Sequence, residues 1–207
     1  MFQIEQFSTI KSFSEFLYKE KNSEFIAHAY PVETEEEALK ILSKIRKTHY
    51  NATHHCYAIK LINNYLKYSD DGEPNGTAGI RILNAIDHFQ LKNVLVIVIR
   101  YFGGIKLGIG PLGKAYYTAA EEVLKNCEKV QKEPLLSINI TADFNLISQV
   151  HHAAGLYKAK IVKTEYFDKV NFECLIKPEL FENLKNYLFE VSRGTIEVTN
   201  SDKILFL

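Results

Sequence analysis

Six apolar residues, Val94 to Ile99, run without a break into Arg100-Tyr101-Phe102-Gly103-Gly104-Ile105-Lys106-Leu107-Gly108-Ile109-Gly110-Pro111. The apolar run is too short to span a bilayer and has the length of a strand buried on both faces. Beyond the glycines, Leu112, Ala115, Tyr116, Ala119 and Val123 recur at helical spacing, with Pro111 suited to the first helical position and Asn126 to the stop. A strand that must lie inside a sheet is thus joined to a helix start by a loop rich in glycine. Helix starts present unpaired N–H groups and a partial positive charge, and glycines let an anion approach the backbone. Arg100, Gly103, Gly104, Lys106 and Gly108 are therefore candidate anion-binding residues. Lys114 joins them: read in the first helical turn, it opposes the helix dipole unless an anion lies between. The same glycines would also serve a tight turn or close packing. Neither the Walker nor the Rossmann spacing fits, so no nucleotide cofactor is read here. Tyr101 and Phe102 suit base stacking or the core.

A second loop, Ser69-Asp70-Asp71-Gly72-Glu73-Pro74-Asn75-Gly76-Thr77-Ala78-Gly79, sets three carboxylates among Pro and Gly. Such carboxylates must be solvated, paired or bound to a cation. Pairing of Asp70, Asp71 or Glu73 with Arg81, Arg100 or Lys106 is one outcome. Weak magnesium shared with a bound phosphate is the other, although the calcium-loop pattern is absent. Thr77 reads as the N-cap of a helix whose Ile82, Leu83, Ile86 and Phe89 share a face. His49, His54, His55 and Cys56 form the one cluster with metal-ligand character. Neighbouring strand residues face opposite ways, however, so a closed site lacks ligands and no metal site is assigned. His54 or His55 instead lines the loop site as a polar group. No nucleophile elbow is present, and no catalytic residue is assigned.

With 46% hydrophobic residues in 207, the chain can bury one large core or two modest ones. Lys+Arg 25 balances Asp+Glu 25, so no global field draws it to DNA or anionic lipid, and an RNA partner would need a local patch. Cys56, Cys127 and Cys174 are odd in number and lack a C-x-x-C pair, which predicts reduced thiols and a cytoplasmic protein. No secretion signal or membrane segment is read.

Along the chain, Ile10 to Lys21 fits helix or strand, with strand preferred. Residues 24 to 32 read as a strand. Thr34 and Glu37 form a capping box before a helix carrying Ala38, Ile41, Leu42 and Ile45. His54 to Ile62 and Tyr65 to Tyr68 predict a hairpin turning at Asn63-Asn64. A boundary at Lys132-Glu133-Pro134 divides the chain into residues 1–133 and 134–207. The second part reads in order as strand (Leu135 to Thr141), helix (Asp143 to Ala154), strands (Lys158 to Tyr166, Val170 to Lys177), a helix opened by Pro178 and closed by Gly194, and a strand (Thr195 to Thr199). That is βαββαβ, the ferredoxin-like plan, and the fold class is α+β in two domains.

Several of these segments together resemble the YigZ/IMPACT family. They are Phe25-Ile26-Ala27, His54-His55-Cys56-Tyr57-Ala58, Ser69 to Pro74, Gly76-Thr77-Ala78-Gly79 and the run from Gly79 to Gly108 with Ile82-Leu83, Ile86, Leu91, Ile97-Val98 and Arg100-Tyr101-Phe102-Gly103-Gly104. Pro111, where the family pattern has glycine, and Gly113-Lys114, where it has a bulkier pair, depart from it. The resemblance implies an N-terminal βαβ fold like domain IV of elongation factor G, like domain 2 of a ribosomal small-subunit protein and like the GHMK kinases. It implies a ferredoxin-like domain behind. Eukaryotic family members act in translational control, so the resemblance implies a non-catalytic protein whose partner is RNA, the ribosome or a translation factor. The kinase likeness keeps a second expectation: an enzyme or binder of a phosphate-containing small molecule, using magnesium at the acidic loop.

Overall fold

The computed structural model describes residues 6–207, which divide into two compact units, Phe7–Gln131 and Lys132–Leu207, with Gln6 grouped in the second.

In the first unit the elements run β1 (Phe7–Ile10), β2 (Ser14–Glu20), β3 (Ser23–Pro31), α1 (Glu35–Thr48), β4 (His54–Lys60), β5 (Leu66–Ser69), α2 (Gly79–His88), β6 (Val94–Tyr101), α3 (Ile109–Asn126) and β7 (Lys129–Lys132). Strands β2-β3-β6-β4-β5 form one antiparallel sheet, while β1 pairs with β7. The apolar run occupies the middle strand, β6, and its alternation splits it between two cores. Val94, Val96 and Val98 pack with α2 and α3; Leu95, Ile97 and Ile99 pack with Leu42 and Ile45 of α1. A central strand covered on both faces needs apolar side chains in both phases, which is why this run is continuous.

Local signals act as expected in most places. The segment Ile10 to Lys21, read as helix or strand with strand preferred, carries the last residue of β1 and the whole of β2. Thr34 caps α1 by accepting from the Glu37 amide (3.2 Å), while the Glu37 carboxylate accepts from the Glu33 amide (2.8 Å). The β4–β5 hairpin turns at Asn63-Asn64, with Asn64 at φ 62°.

Two helix starts differ from expectation. Thr77 does not cap α2; its hydroxyl donates to the Pro74 carbonyl (2.6 Å), and Asp70 reaches across to cap the helix instead. Helix α3 begins at Ile109 with Gly108 as its N-cap, which puts Pro111 third and Lys114 in the second turn. Pro111 still fits, because amides of the first turn have no intrahelical acceptor.

The second unit comprises β8 (Pro134–Ala142), a 3-10 turn (Phe144–Leu146), α4 (Ile147–Leu156), β9 (Lys160–Tyr166), β10 (Val170–Ile176), α5 (Pro178–Ser192) and β11 (Glu197–Phe206). Its sheet order β11-β8-β10-β9 is that of a ferredoxin-like βαββαβ unit. Ile138, Ile140, Phe172 and Cys174 face Val150 of α4 and Leu184 and Leu188 of α5 in a separate core. Phe172 is expected to contribute about 1.5–3 kcal/mol by its burial.

Candidate functional site

Sheet register builds the first part of the site. Phe25 on β3 and His54 on β4 both pair with Arg100 on β6, so the three side chains stand in a row on the face covered by α2 and α3. Above this row the acidic loop inserts Glu73. Its Oε1 accepts from Arg100 Nη1 (2.6 Å) and from the Tyr116 hydroxyl of α3 (2.7 Å). Both members of the ion pair are inside, Arg100 at 5% exposure and Glu73 at 8%.

The expectation that Arg100 is an open clamp for a ligand is therefore corrected. Its charge is spent on Glu73, and its guanidinium lies against the rings of Phe25 (5.3 Å) and Phe102 (5.5 Å). Nη2 and the Gly103 amide converge on the Ser23 hydroxyl, at 3.5 and 3.1 Å, while Nε has no partner. Around the pair, Cys56 Sγ lies 3.0 Å from the Asp70 carbonyl and 3.4 Å from the Tyr116 oxygen. Burial pushes the Cys56 thiol and the Tyr116 hydroxyl far up, so both stay protonated.

His54 and His55 separate to opposite faces of β4. His54 Nδ1 lies 2.8 Å from the Asp71 carbonyl, which can only accept, so Nδ1 carries a proton and donates. Its Nε2 stands 3.8 Å from Glu73 Oε1, which places His54 at the rim of the buried network. His55 lies on the α1 side, donating from Nε2 to the His49 carbonyl (3.1 Å), and burial lowers its pKa. The two do not line one pocket.

The three carboxylates of the acidic loop likewise point three ways. Asp70 accepts from the amides of Gly76 (2.9 Å), Ala78 (2.9 Å) and Gly79 (2.8 Å). Asp71 accepts from Arg46 (2.6 Å) and from the His55 amide (2.7 Å), and Glu73 is held as above. A magnesium site shared by these side chains is thus corrected to a clasp that ties the loop to α1, α2, β4 and β6. Among the described residues no group of three or more His, Cys, Asp or Glu is arranged to hold a metal ion.

The glycine loop is different. Gly103 is wedged against the backbone of Asn22, where a Cβ would stand 2.1 Å from its carbonyl, but Gly104 (φ 84°) and Gly108 (φ 83°) face open space. Among the described residues, the amides from Gly104 to Gly108 make no hydrogen bond within the protein, and no side chain caps α3. Lys106 and Lys114 are exposed and, among the described residues, unpaired. Arg81, also exposed, donates to the Gly76 carbonyl (3.2 Å) and lies along Gly113, where a Cβ would stand 3.3 Å from its Nε. Tyr101 is partly buried, its hydroxyl 2.9 Å from His49 Nδ1, and Phe102 is half exposed.

Gly104, Lys106 and Gly108 thus lie in the loop before α3 and Lys114 in its second turn, while Arg100, His55 and the carboxylates are engaged elsewhere. Sequence reading missed Tyr116 as a partner of Glu73, and Ser23 and Phe25 as partners of Arg100. Tyr116 carries only a core signal along α3, and the other two are placed by register.

Fold and site together define a two-unit α+β protein whose acidic loop is locked by a buried ion pair and whose glycine loop is open. Comparison with known proteins gives this class its family. The Impact N-terminal domain matches residues 21–124, and the chain belongs to the IMPACT family. It is similar to IMPACT family member YvyE of Bacillus subtilis (strain 168), 30% identical over 96% of this chain and 93% of that one. Protein IMPACT of Oryctolagus cuniculus is 38% identical over 43% of this chain and 30% of its own length. A solved structure described as a hypothetical protein superposes with a TM-score of 0.70 at 25% identity, covering 96% of this chain and 98% of that one. No helix among the described residues is long and apolar enough to cross a membrane.

Proposed function

We propose that this protein is a non-catalytic, cytoplasmic member of its family that binds RNA, the ribosome or a translation factor through the loop from Gly103 to Gly110. The observation that carries the reading is the run of amides before α3 that, among the described residues, have no hydrogen-bond partner, flanked by three cations that among the same residues have no carboxylate partner. Backbone donors with cations around them are complementary to phosphate or carboxylate oxygens. Translational control by eukaryotic family members, which the sequence resemblance implies, gives the class of partner. Three unpaired, buried cysteines fit a reducing compartment. The non-catalytic part of the reading draws its support from the burial of the Cys56 thiol and the engagement of Asp70, Asp71 and Glu73 by partners within the protein.

The test is a salt titration of binding to oligouridylate and to ribosomal subunits. Engagement of Arg81, Lys106 and Lys114 with single-stranded RNA predicts a log–log salt slope near −2, at roughly −0.7 per phosphate. Lys106→Ala with Lys114→Ala should flatten the slope by about 1.4. No binding to either probe at low salt, or a slope unchanged in the double variant, rules out RNA and the ribosome as partners of the loop and leaves a translation factor as the partner to be tested.

A further inference from the structure

The same loop carries a second chemistry that phosphate binding does not use. Phe102, Ile105 and Ile109 are 46%, 49% and 71% exposed, set within eight residues of chain among glycines. Apolar side chains exposed singly are ordinary on a protein surface, but three within one short loop offer apolar area whose burial favours association. Ile109 and Gly113 stack one turn apart on α3, and Arg81 lies on Gly113, so the last isoleucine stands beside a cation. From Gly103 to Ala120 the chain has no Asp or Glu. Lys106 and Lys114 are therefore the only formal charges in that stretch, and a negatively charged partner meets no repulsion from it.

We infer that the loop tip docks an acidic protein segment bearing apolar side chains, its carboxylates and carbonyls taking the free amides and the cations while its apolar groups cover Phe102, Ile105 and Ile109. This rests on the reading of the loop as the contact surface and names the partner that fits it. RNA fits the tip less well. Isoleucine offers no plane for a base, and the one aromatic ring there, Phe102, already lies over Arg100. A segment of extended protein supplies acceptors for successive amides and apolar groups in alternation, which a phosphate backbone does not.

The experiment follows the amide resonances of the ¹⁵N-labelled full chain as three probes of equal length are added: a peptide of Asp interspersed with Leu, an all-Asp peptide and oligouridylate. The Asp/Leu peptide is expected to shift the amides of Gly104, Gly108, Ile109 and Gly110, and to bind more tightly than the all-Asp peptide. Ile105→Ser with Ile109→Ser should weaken the Asp/Leu peptide about tenfold or more while thermal melting stays that of the parent, since both side chains face solvent. Equal binding of the two peptides, or indifference to the double variant, overturns the inference. Oligouridylate shifting these amides without any response to the Asp/Leu peptide overturns it too, yet leaves the loop as the contact surface. Silence with all three probes defeats the inference and the reading beneath it together.

Discussion

At the level of single residues, the site turns on how Arg100 is neutralised. Its guanidinium and the Glu73 carboxylate are both inside the protein, and a buried ion pair is sensitive to the loss of one partner because the remaining charge has no water. Glu73→Gln should therefore cost about 3–5 kcal/mol. Tyr116→Phe removes one hydrogen bond to the same carboxylate and leaves the charges paired, so its cost should be nearer 1–2 kcal/mol. Urea denaturation of the two variants decides the matter: equal losses would mean that the ion pair does not anchor the acidic loop. The sequence offered a Glu73–Arg100 pair as one outcome for the acidic loop but could not choose it over an open clamp. Arg100 and Glu73 are 27 positions apart, and a cation next to glycines reads as a clamp until register shows that Phe25 and His54 flank it under a helix.

Among elements, the two helix starts that face the site have opposite characters. Helix α2 is closed by Asp70, which satisfies three loop and helix amides at once, and α3 is left open. Asp70→Ala should cost about 2 kcal/mol, the upper range for a cap, and should speed hydrogen exchange at Gly76, Ala78 and Gly79 selectively. Unchanged exchange there would show that water caps α2 equally well. The glycines of the loop separate in the same way. Gly103→Ala would drive a Cβ into the Asn22 backbone and should cost about 3 kcal/mol or more, whereas Gly104→Ala meets open space and should cost about 1–2 kcal/mol for its left-handed backbone. Similar melting temperatures for the two variants would contradict this division between a packing glycine and a turn glycine. Periodicity and caps made α1, the β4–β5 hairpin and the whole order of the second unit legible, because those signals lie within a few residues of one another. The cap of α2 was not, since Asp70 sits nine residues before the helix it closes and Thr77 stands where a local rule would look.

For the molecule as a whole, two units with separate cores follow from the composition and the change of pattern near Pro134, but the polar groups that set its response to pH are placed by tertiary packing alone. His28 is 4% exposed, with Nε2 donating to Glu15 (2.7 Å) and Nδ1 accepting from Tyr30 (3.5 Å), an arrangement that suits a neutral ring. Burial lowers its pKa, opposed in part by Glu15 and aided by His49; burial also lowers that of His55. In the unfolded chain both rings titrate near 6.5. Between that value and their lowered folded values, the unfolded state binds more protons than the folded one. Stability from these groups is therefore fully present above about pH 6.5 and declines as pH falls below it, levelling off once both folded rings are charged. Melting temperature should accordingly hold from about pH 8 to 7 and drop by about pH 5.5, before most carboxylates titrate. His28→Gln keeps a donor for Glu15 and removes one titrating ring, so its melting temperature should fall less over the same interval. A parent protein that melts alike at both ends of that interval, or a variant that follows the parent's decline in full, would mean that burial of His28 does not set the acid limit of the fold.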